Sequence, residues 1–164
     1  MVIRRRRVEG ELIVEQTRER ATVEIIRKAA GMSPLGCAWA AGCYLIAYSG
    51  SEVAGVVGIE SKVDTALMRS LAVVEPMRRR GVGAALIAAA RVAAHTRGAR
   101  RLYALACGTD SFLVRFGFGP VAIGELLGAL RGTSLADQLA ANPQALARAR
   151  AFSLDLSHDG LIVR

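Results

Sequence analysis

The sequence predicts an α+β fold in a single domain, organised around a strand–helix–strand crossover. The chain has 164 residues, a length that one domain commonly occupies. Apolar residues make up 52% and charged residues 22% of the chain, a balance that favours a packed core over disorder. Runs rich in β-branched residues alternate with segments of helical periodicity, and this mixed order indicates an α+β architecture.

The first half of the chain contains a predicted helix and a predicted hairpin. The segment "RATVEIIRKAAGM" has apolar residues at helical spacing, and Gly31 is its stop signal. The next segment, "CYLIAYSGSEVAGVVGIE", contains two β-rich runs that meet at Ser49-Gly50-Ser51. Two such runs joined by a short polar turn predict a β-hairpin.

The crossover follows the hairpin. "TALMRSLAVV" is predicted as a strand closed by Pro76, and "RRLYALAC" is predicted as the next strand. Between them we expect a helix from Gly83 to about Thr96, ended by Gly98. The residues expected on its inner side are Leu86, Ala89, Ala90 and Ala93.

The remainder of the chain is predicted as short helices and a closing strand. "DSFLVRFGFG" predicts a short helix capped by Asp110 or Ser111 and ended by Gly117. "GELLGALRG" and "NPQALARARA" are expected to be helical, and "AFSLDL" alternates like a strand. We therefore expect one domain over 1–164, with a flexible basic arm at 1–10 and a helical C-terminal region at 124–150.

Charge and cysteine content limit the function classes. The net charge of +8 suits an acidic partner, which leaves nucleic acid, a membrane surface and a polyphosphate cofactor open. Aromatic residues are only 5% and no nucleic-acid-reading motif is visible, which disfavours a nucleic-acid binder. Cys37, Cys43 and Cys107 are odd in number and lack metal-ligand spacing. They predict reduced thiols, no metal site and a cytoplasmic protein. The longest apolar tract, "LGCAWAAGCYLIAYSG", is too short for a spanning helix, so no membrane span is expected.

The stretch "EPMRRRGVGAALIAAA" has the composition of an anion site. It places arginines and glycines between a strand and a helix, where unpaired N–H groups and the helix dipole favour a phosphate. Gly81 and Gly83 let the backbone approach a ligand closely. A P-loop is excluded because no Gly-Lys-Ser/Thr ending follows, and Leu86 stands where a Rossmann fingerprint needs a small residue.

The motif Arg-x-x-Gly-x-Gly, present as Arg78 to Gly83, resembles the acetyl-CoA loop of GNAT (GCN5-related) N-acetyltransferases. The segments "RSLAVV", "YLIAYSGSEVAGVVGIE" and "FLVRFGF" resemble the strand, hairpin and short helix around that loop, so that the likeness covers about 21–121. It implies the GNAT fold, a mixed, mostly antiparallel central sheet flanked by helices. Within the family the sequence looks most like amino-acid acetyltransferases, including the glutamate and arsenic-resistance types.

The resemblance implies acetyl-CoA as cosubstrate and assigns residues to it. The pyrophosphate would rest on the loop, whose matching positions are Arg78, Arg79, Arg80, Gly81, Val82, Gly83 and Ala84. The pantetheine arm would pair with Leu71, Ala72 and Val73, and the backbone N–H of Leu71 would stabilise the oxyanion.

The remaining candidates concern the acceptor and proton transfer. Glu60 is the candidate general base, acting through water, and Arg69 with Ser70 is the candidate acceptor contact, Arg69 as a carboxylate clamp. Family members often have a tyrosine general acid where this chain has Leu113. Weaker candidates for that role are Tyr103, Cys107 and Ser111, and a coenzyme A thiolate can also take its proton from water.

Together these observations predict an N-acetyltransferase acting on the primary amine of a small molecule, an amino acid or an analogue of one. Two alternatives stay open: a peptide or protein N-acetyltransferase, and a non-catalytic acyl-CoA-binding module. We expect no nucleic-acid or membrane partner, and the resemblance adds a homodimer as an option.

Overall fold

The computed structural model describes residues 10–31, 42–106 and 111–158. It contains a seven-stranded sheet in the order β1-β2-β3-β4-β5-β7-β6. The strands are β1 Leu12–Thr17, β2 Gly42–Ser49, β3 Glu52–Lys62, β4 Thr65–Val73, β5 Arg101–Ala106, β6 Gly119–Val121 and β7 Arg150–Asp155. Only β4 and β5 pair in parallel, and all other neighbours are antiparallel. The predicted mixed, mostly antiparallel sheet is confirmed.

Six helices and a 3₁₀ turn are found among the described residues. The helices are α1 Arg20–Ala29, α2 Val82–Thr96, α3 Ser111–Arg115, α4 Ile123–Ala129, α5 Ser134–Ala140 and α6 Pro143–Arg148, and the 3₁₀ turn is Glu75–Met77. The helix before the hairpin, the hairpin turn and the crossover helix are therefore confirmed. Gly31, Gly98 and Gly117 have positive φ angles at the helix ends predicted from them.

Helices cover both faces of the sheet. α2 packs on one face, against residues such as Ile59 and Met68. α1 packs on the opposite face against Tyr44 and Val56, and α4 and α5 cover Leu67 and its neighbours on that same face. The alternation of side chains along each strand places these residues on opposite sides, so that the sheet forms the middle of three layers.

The inner side of α2 differs from the prediction. Leu86 and Ala90 are buried as expected, but Ala89 and Ala93 are only half-buried. The helix instead buries Val82, Ile87 and Ala94. In an alanine-rich helix the larger Val and Ile side chains determine which side gains most from contact with the sheet.

Two short strands were not predicted, β1 and β6, whereas α5 lies inside the expected helical region 124–150. β1 lies at the edge of the sheet and pairs only with β2, and β6 has three residues that pair with β7. Such segments are ordered mainly by their neighbours, because local sequence preference is weak at this length. Nine residues of the predicted basic arm, 1–9, lie outside the described part of the chain.

β4 separates from β5 part-way along its length, and this separation positions the functional site. The two strands pair only from Thr65 to Met68 on β4. Ser70 then has a φ of 56°, and the register between β3 and β4 shifts between Val56 and Gly58. One extra residue in β4 makes a β-bulge, which bends the strand away from its neighbour.

Candidate active site

A cavity of about 620 Å³ lies where β4 leaves β5. β4, the loop after it, the start of α2 and α3 form its walls. The lining residues are Leu71, Val73, Met77, Arg78, Arg79, Gly81, Val82, Gly83, Ala84, Phe112, Arg115 and Phe116. Most of the positions assigned to acetyl-CoA from the sequence therefore meet around one space.

One wall of the cavity is an edge of β4 that can pair with an extended ligand. The N–H of Val74 donates to the carbonyl of Ala54 at 3.0 Å, so that the alternating groups of Leu71 and Val73 face away from β3. No strand among the described residues pairs with this edge beyond Met68. The Nε of Arg78 donates to the carbonyl of Val73 at 3.1 Å. An amide-bearing chain can add to such an edge as a further strand does.

The loop and the start of α2 form a wall of the cavity whose geometry suits an anion. Arg79 and Gly81 have positive φ angles of 61° and 78°, which turn the chain sharply into the helix. Gly81 is the N-cap residue and no side chain caps the helix. The N–H groups of Val82, Gly83 and Ala84 consequently have no partner within the helix. With the helix dipole, they suit a phosphate group.

The wall opposite the loop contains residues that sequence reasoning missed. A Cβ on Gly83 would lie 2.8 Å from Cζ of Phe112, so that glycine permits a close approach between α2 and α3. The rings of Phe112 and Phe116 meet edge to face at 5.0 Å, and the Arg115 guanidinium lies 5.5 Å from the Phe112 ring. The signal that could have found them is the i, i+4 spacing of two phenylalanines in "FLVRF".

The opposite face of the sheet carries a buried ion pair. Nη1 of Arg69 donates to Oε2 of Glu60 at 2.9 Å, and the side chains are 11% and 3% exposed. Gly58 stands directly opposite Arg69 and leaves room for Tyr44, because a Cβ there would lie 2.7 Å from that ring. The structure thus joins the candidate base and the candidate clamp in one pair beside the bulge.

A second polar group lies further along the same face. Tyr103 on β5 donates to Oε1 of Glu125 at 3.2 Å, and Arg101 donates to Ser153 at 3.2 Å. Burial raises the pKa of Tyr103, and the Glu125 carboxylate raises it further. The phenol is therefore held in its protonated form by its surroundings.

The structure separates some residues that the sequence grouped. Ala72 does not face the cavity, because it is buried against α1 on the opposite side of the sheet. Arg80 lies beside the lining, with Nη1 3.9 Å from the Met77 sulfur. Leu113 stands where family members often have a tyrosine general acid. Its side chain is 6% exposed and packs in the core with α2. Cys107 and the side chain of Ser111 lie outside the described residues.

In the described ranges, no three His, Cys, Asp or Glu side chains cluster as metal ligands would. No helix in those ranges is long and apolar enough to cross a bilayer.

Comparison with known families shows to which family the chain belongs. Residues 14–118, more than half of the chain, match the family described as "Acetyltransferase (GNAT) family". The chain belongs to the GNAT acetyltransferase family. No curated protein matches the chain in sequence.

Solved structures of low sequence identity share the fold. N-acetylglutamate synthase from Neisseria gonorrhoeae, with coenzyme A and L-arginine, is similar over 90% of this chain and 34% of its own, at 14% identity and a TM-score of 0.69. This chain therefore spans about a third of that synthase. The ribosomal-protein-S18-alanine N-acetyltransferase of Escherichia coli is similar over 94% and 99%, at 15% identity and a TM-score of 0.67. A Mycobacterium tuberculosis protein in complex with CoA is similar over 87% and 98%, at 16% identity and a TM-score of 0.70.

Proposed function

We propose that this GNAT protein transfers the acetyl group of acetyl-CoA to the primary amine of a small molecule, an amino acid or an analogue of one. The observation that carries the proposal is the cavity between the open edge of β4 and the uncapped start of α2. Its shape and polarity suit a phosphorylated, amide-bearing arm. The buried Glu60–Arg69 pair supplies charged groups on the opposite face of the sheet, next to the same bulge.

The cosubstrate would occupy the cavity in an extended form. Its pyrophosphate would accept hydrogen bonds from the backbone between Arg79 and Ala84, and its pantetheine arm would pair with Leu71 and Val73. Arg78 and Arg80 would add positive charge around the phosphates. Ala72 would contribute through its place in the strand, since its side chain is buried on the other face.

The reaction would take place where β4 leaves β5. The neutral amine nitrogen attacks the thioester carbonyl carbon, a C–N bond forms and the C–S bond breaks. The N–H of Leu71 would donate to the oxyanion, an effect typically worth about 3 to 4 kcal/mol. The amine proton would pass through water to Glu60, which Arg69 holds in position, and the leaving thiolate would take a proton from solvent.

The class of acceptor follows from two lines of support. One fold neighbour is named as an N-acetylglutamate synthase, and a small amino-acid acceptor agrees with charged groups buried in the sheet rather than spread over the surface. A protein N-terminus is the second candidate, because the S18-alanine N-acetyltransferase shares the fold over 94% of this chain. An arsenical amino-acid analogue belongs to the first class.

A thiol-release screen tests the proposal. Acetyl-CoA is mixed with the protein and with amino acids, arsenical analogues, polyamines or peptides, and free coenzyme A is measured. We expect release with amino acids and a rise in Tm on adding acetyl-CoA. Release of coenzyme A with peptides alone would show that the acceptor is a peptide or protein N-terminus and not an amino acid. A Tm shift without release from any amine would favour a non-catalytic acyl-CoA-binding module.

Location and assembly stay predictions. A cytoplasmic protein without nucleic-acid or membrane partners is expected from the composition, and a homodimer is the assembly common in the family. Fractionation and light scattering would test these expectations.

A further inference from the structure

Arg27 is a buried arginine whose donors are not satisfied. It lies in the last turn of α1, is 7% exposed, and its Nε and Nη1 atoms have no hydrogen-bond partner within the part of the chain that the structure describes. The nearest carboxylate oxygen is Oε2 of Glu24, 3.8 Å from Nη1, which is too long for a hydrogen bond. Arg27 thus has one long ion pair, to Glu24, and two buried donors that no hydrogen bond satisfies among the described residues.

Buried donors without partners need an explanation. Polar groups lose their water on burial, and native structures almost always replace it with another partner. A guanidinium cannot avoid the cost by losing its proton, because arginine stays charged at all ordinary pH values. A positive group prepared in this way is suited to an anion that arrives from solution, above all a planar carboxylate.

The position of α1 places Arg27 on the acceptor side of the sheet. Its neighbours Val23 and Ile26 pack against Val56 and Ala72, and α1 contacts only β3 and β4 extensively within the described residues. Ala72 lies just beyond the bulge. Arg27 is therefore on the same face as the Glu60–Arg69 pair and opposite the face covered by α2.

Arg69 differs from Arg27 in how its charge is balanced. Glu60 accepts a 2.9 Å hydrogen bond from Arg69, so that an acceptor carboxylate at Arg69 would have to share that guanidinium. We propose that Arg27 binds the carboxylate of the acceptor and selects amino acids over amines without a carboxylate. The inference rests on the proposed function, because it names the group by which this acetyltransferase recognises its acceptor.

Matched acceptors and a matched variant test the role of Arg27. Each amino acid that is acetylated in the thiol-release assay is compared with its carboxamide. Arg27→Met should raise KM for the free acid about 10- to 100-fold, the loss of one charged hydrogen-bonding contact, and leave KM for acetyl-CoA and for the carboxamide unchanged. Lys28→Met is the control, because Lys28 is the exposed cation next to Arg27, and it should change none of these constants.

Thermal unfolding keeps the inference independent of activity. Without ligand, Arg27→Met should be at least as stable as the unaltered protein, since an unsatisfied charge is replaced by an apolar chain of similar length. A marked loss of stability would mean a structural role and would overturn the inference. Equal changes in KM for acid and carboxamide would overturn it too.

The assays also separate this inference from the proposed function. If acetyl-CoA raises Tm but no amine bearing a carboxylate is acetylated, the role of Arg27 is refuted while cosubstrate binding stands. If acetyl-CoA causes no Tm shift and no thiol is released with any amine, the proposed function itself fails.

Discussion

The two faces of the sheet beside the β4 bulge are built in different ways. One face is proposed to bind the cosubstrate and is called the cofactor face; it uses the contiguous segment from Arg78 to Ala84, which offers backbone N–H groups, glycines and positive φ angles. The opposite face is proposed to bind the acceptor and is called the acceptor face. It uses side chains from distant positions in the sequence, Arg27 on α1, Glu60 on β3 and Arg69 on β4. The residues of the cofactor face form one short sequence motif. The residues of the opposite face come together only when the strands pair.

This difference follows from the ligands. The proposed thioester arm is the same whatever the acceptor, and backbone groups can bind a pyrophosphate whatever the side chains are. The acceptor differs between enzymes, and only side chains can distinguish one amine from another. A motif therefore identifies the cosubstrate well and leaves the acceptor to be found from the fold.

Blocking the cofactor face should have the largest effect. Gly83→Trp places an indole where even a Cβ would lie 2.8 Å from Phe112. We expect the Tm shift caused by acetyl-CoA to disappear and kcat/KM to fall by about 10³-fold or more, as when substrate positioning is lost. Gly128→Trp is the control, since Gly128 is exposed and has no atom near its Cβ position. A Gly83→Trp protein that still shows the full shift would place the cosubstrate elsewhere.

Breaking the ion pair on the acceptor face should cost stability. Arg69→Met leaves the Glu60 carboxylate buried without its guanidinium, a change typically worth about 3 to 5 kcal/mol in the free energy of unfolding. Glu60→Gln combined with Arg69→Met should cost less than the sum of the single changes, because no charge then remains unpaired. Urea unfolding measures both. Additive losses would show that the two side chains do not interact.

Kinetics of the same variant sharpen the contrast between the two arginines. Arg69→Met should lower kcat, because the proposed base loses its positioning partner, whereas Arg27→Met should raise KM for the acceptor. Glu52→Gln is the control, because Glu52 is an exposed carboxylate on β3, the strand that carries Glu60. It should alter the free energy of unfolding by no more than about 0.5 kcal/mol. If Arg69→Met changed only the KM for the acceptor, Arg69 and not Arg27 would be the residue that binds the acceptor carboxylate.

Altering the bulge between the two faces should have an intermediate effect. Ser70 has a φ of 56°, a conformation that a β-branched residue adopts only with strain. Ser70→Val should lower the free energy of unfolding by about 1 to 2 kcal/mol, and Ser70→Gly should raise it slightly. Denaturant unfolding of the pair is the measurement. Equal stability of the two variants would mean that the positive φ imposes no strain.

The smallest effect is expected from Tyr103, and it depends on pH. Burial first, and Glu125 second, raise the pKa of Tyr103, so that the folded protein holds the phenol proton more tightly than the unfolded chain does. This stabilisation is complete below the ordinary tyrosine pKa of about 10 and is lost as the pH rises through the higher folded pKa.

Tyr103→Phe therefore removes a pH-dependent contribution. Its Tm should fall less steeply than that of the unaltered protein above about pH 10, while near neutral pH it loses about 1 kcal/mol with the Glu125 hydrogen bond. Tyr48→Phe, on β2, is the matched tyrosine variant. Parallel Tm curves for the unaltered protein and Tyr103→Phe would contradict the raised pKa.

Much of the central fold was predictable from the sequence. The hairpin at Gly50, the crossover helix and the strands on either side of it have strong periodicity and clear glycine or proline boundaries. β1 and β6 were missed because short edge segments take their conformation from the strands beside them. The inner side of α2 was misjudged where alanines gave no preference.

By itself, the sequence determined the α+β class, the family resemblance and the position of the proposed phosphate-binding loop, because glycines and helix starts act through the local backbone. The tertiary structure decided what depends on strand register. Pairing between β3 and β4 joins Glu60 to Arg69, and the bulge at Ser70 places the side chain of Ala72 on the same face of the sheet as that of Leu67. Packing of α1 buries Arg27, a position that periodicity could not supply. Contacts between residues far apart in the chain depend on how strands and helices assemble, and local sequence carries little information about that assembly.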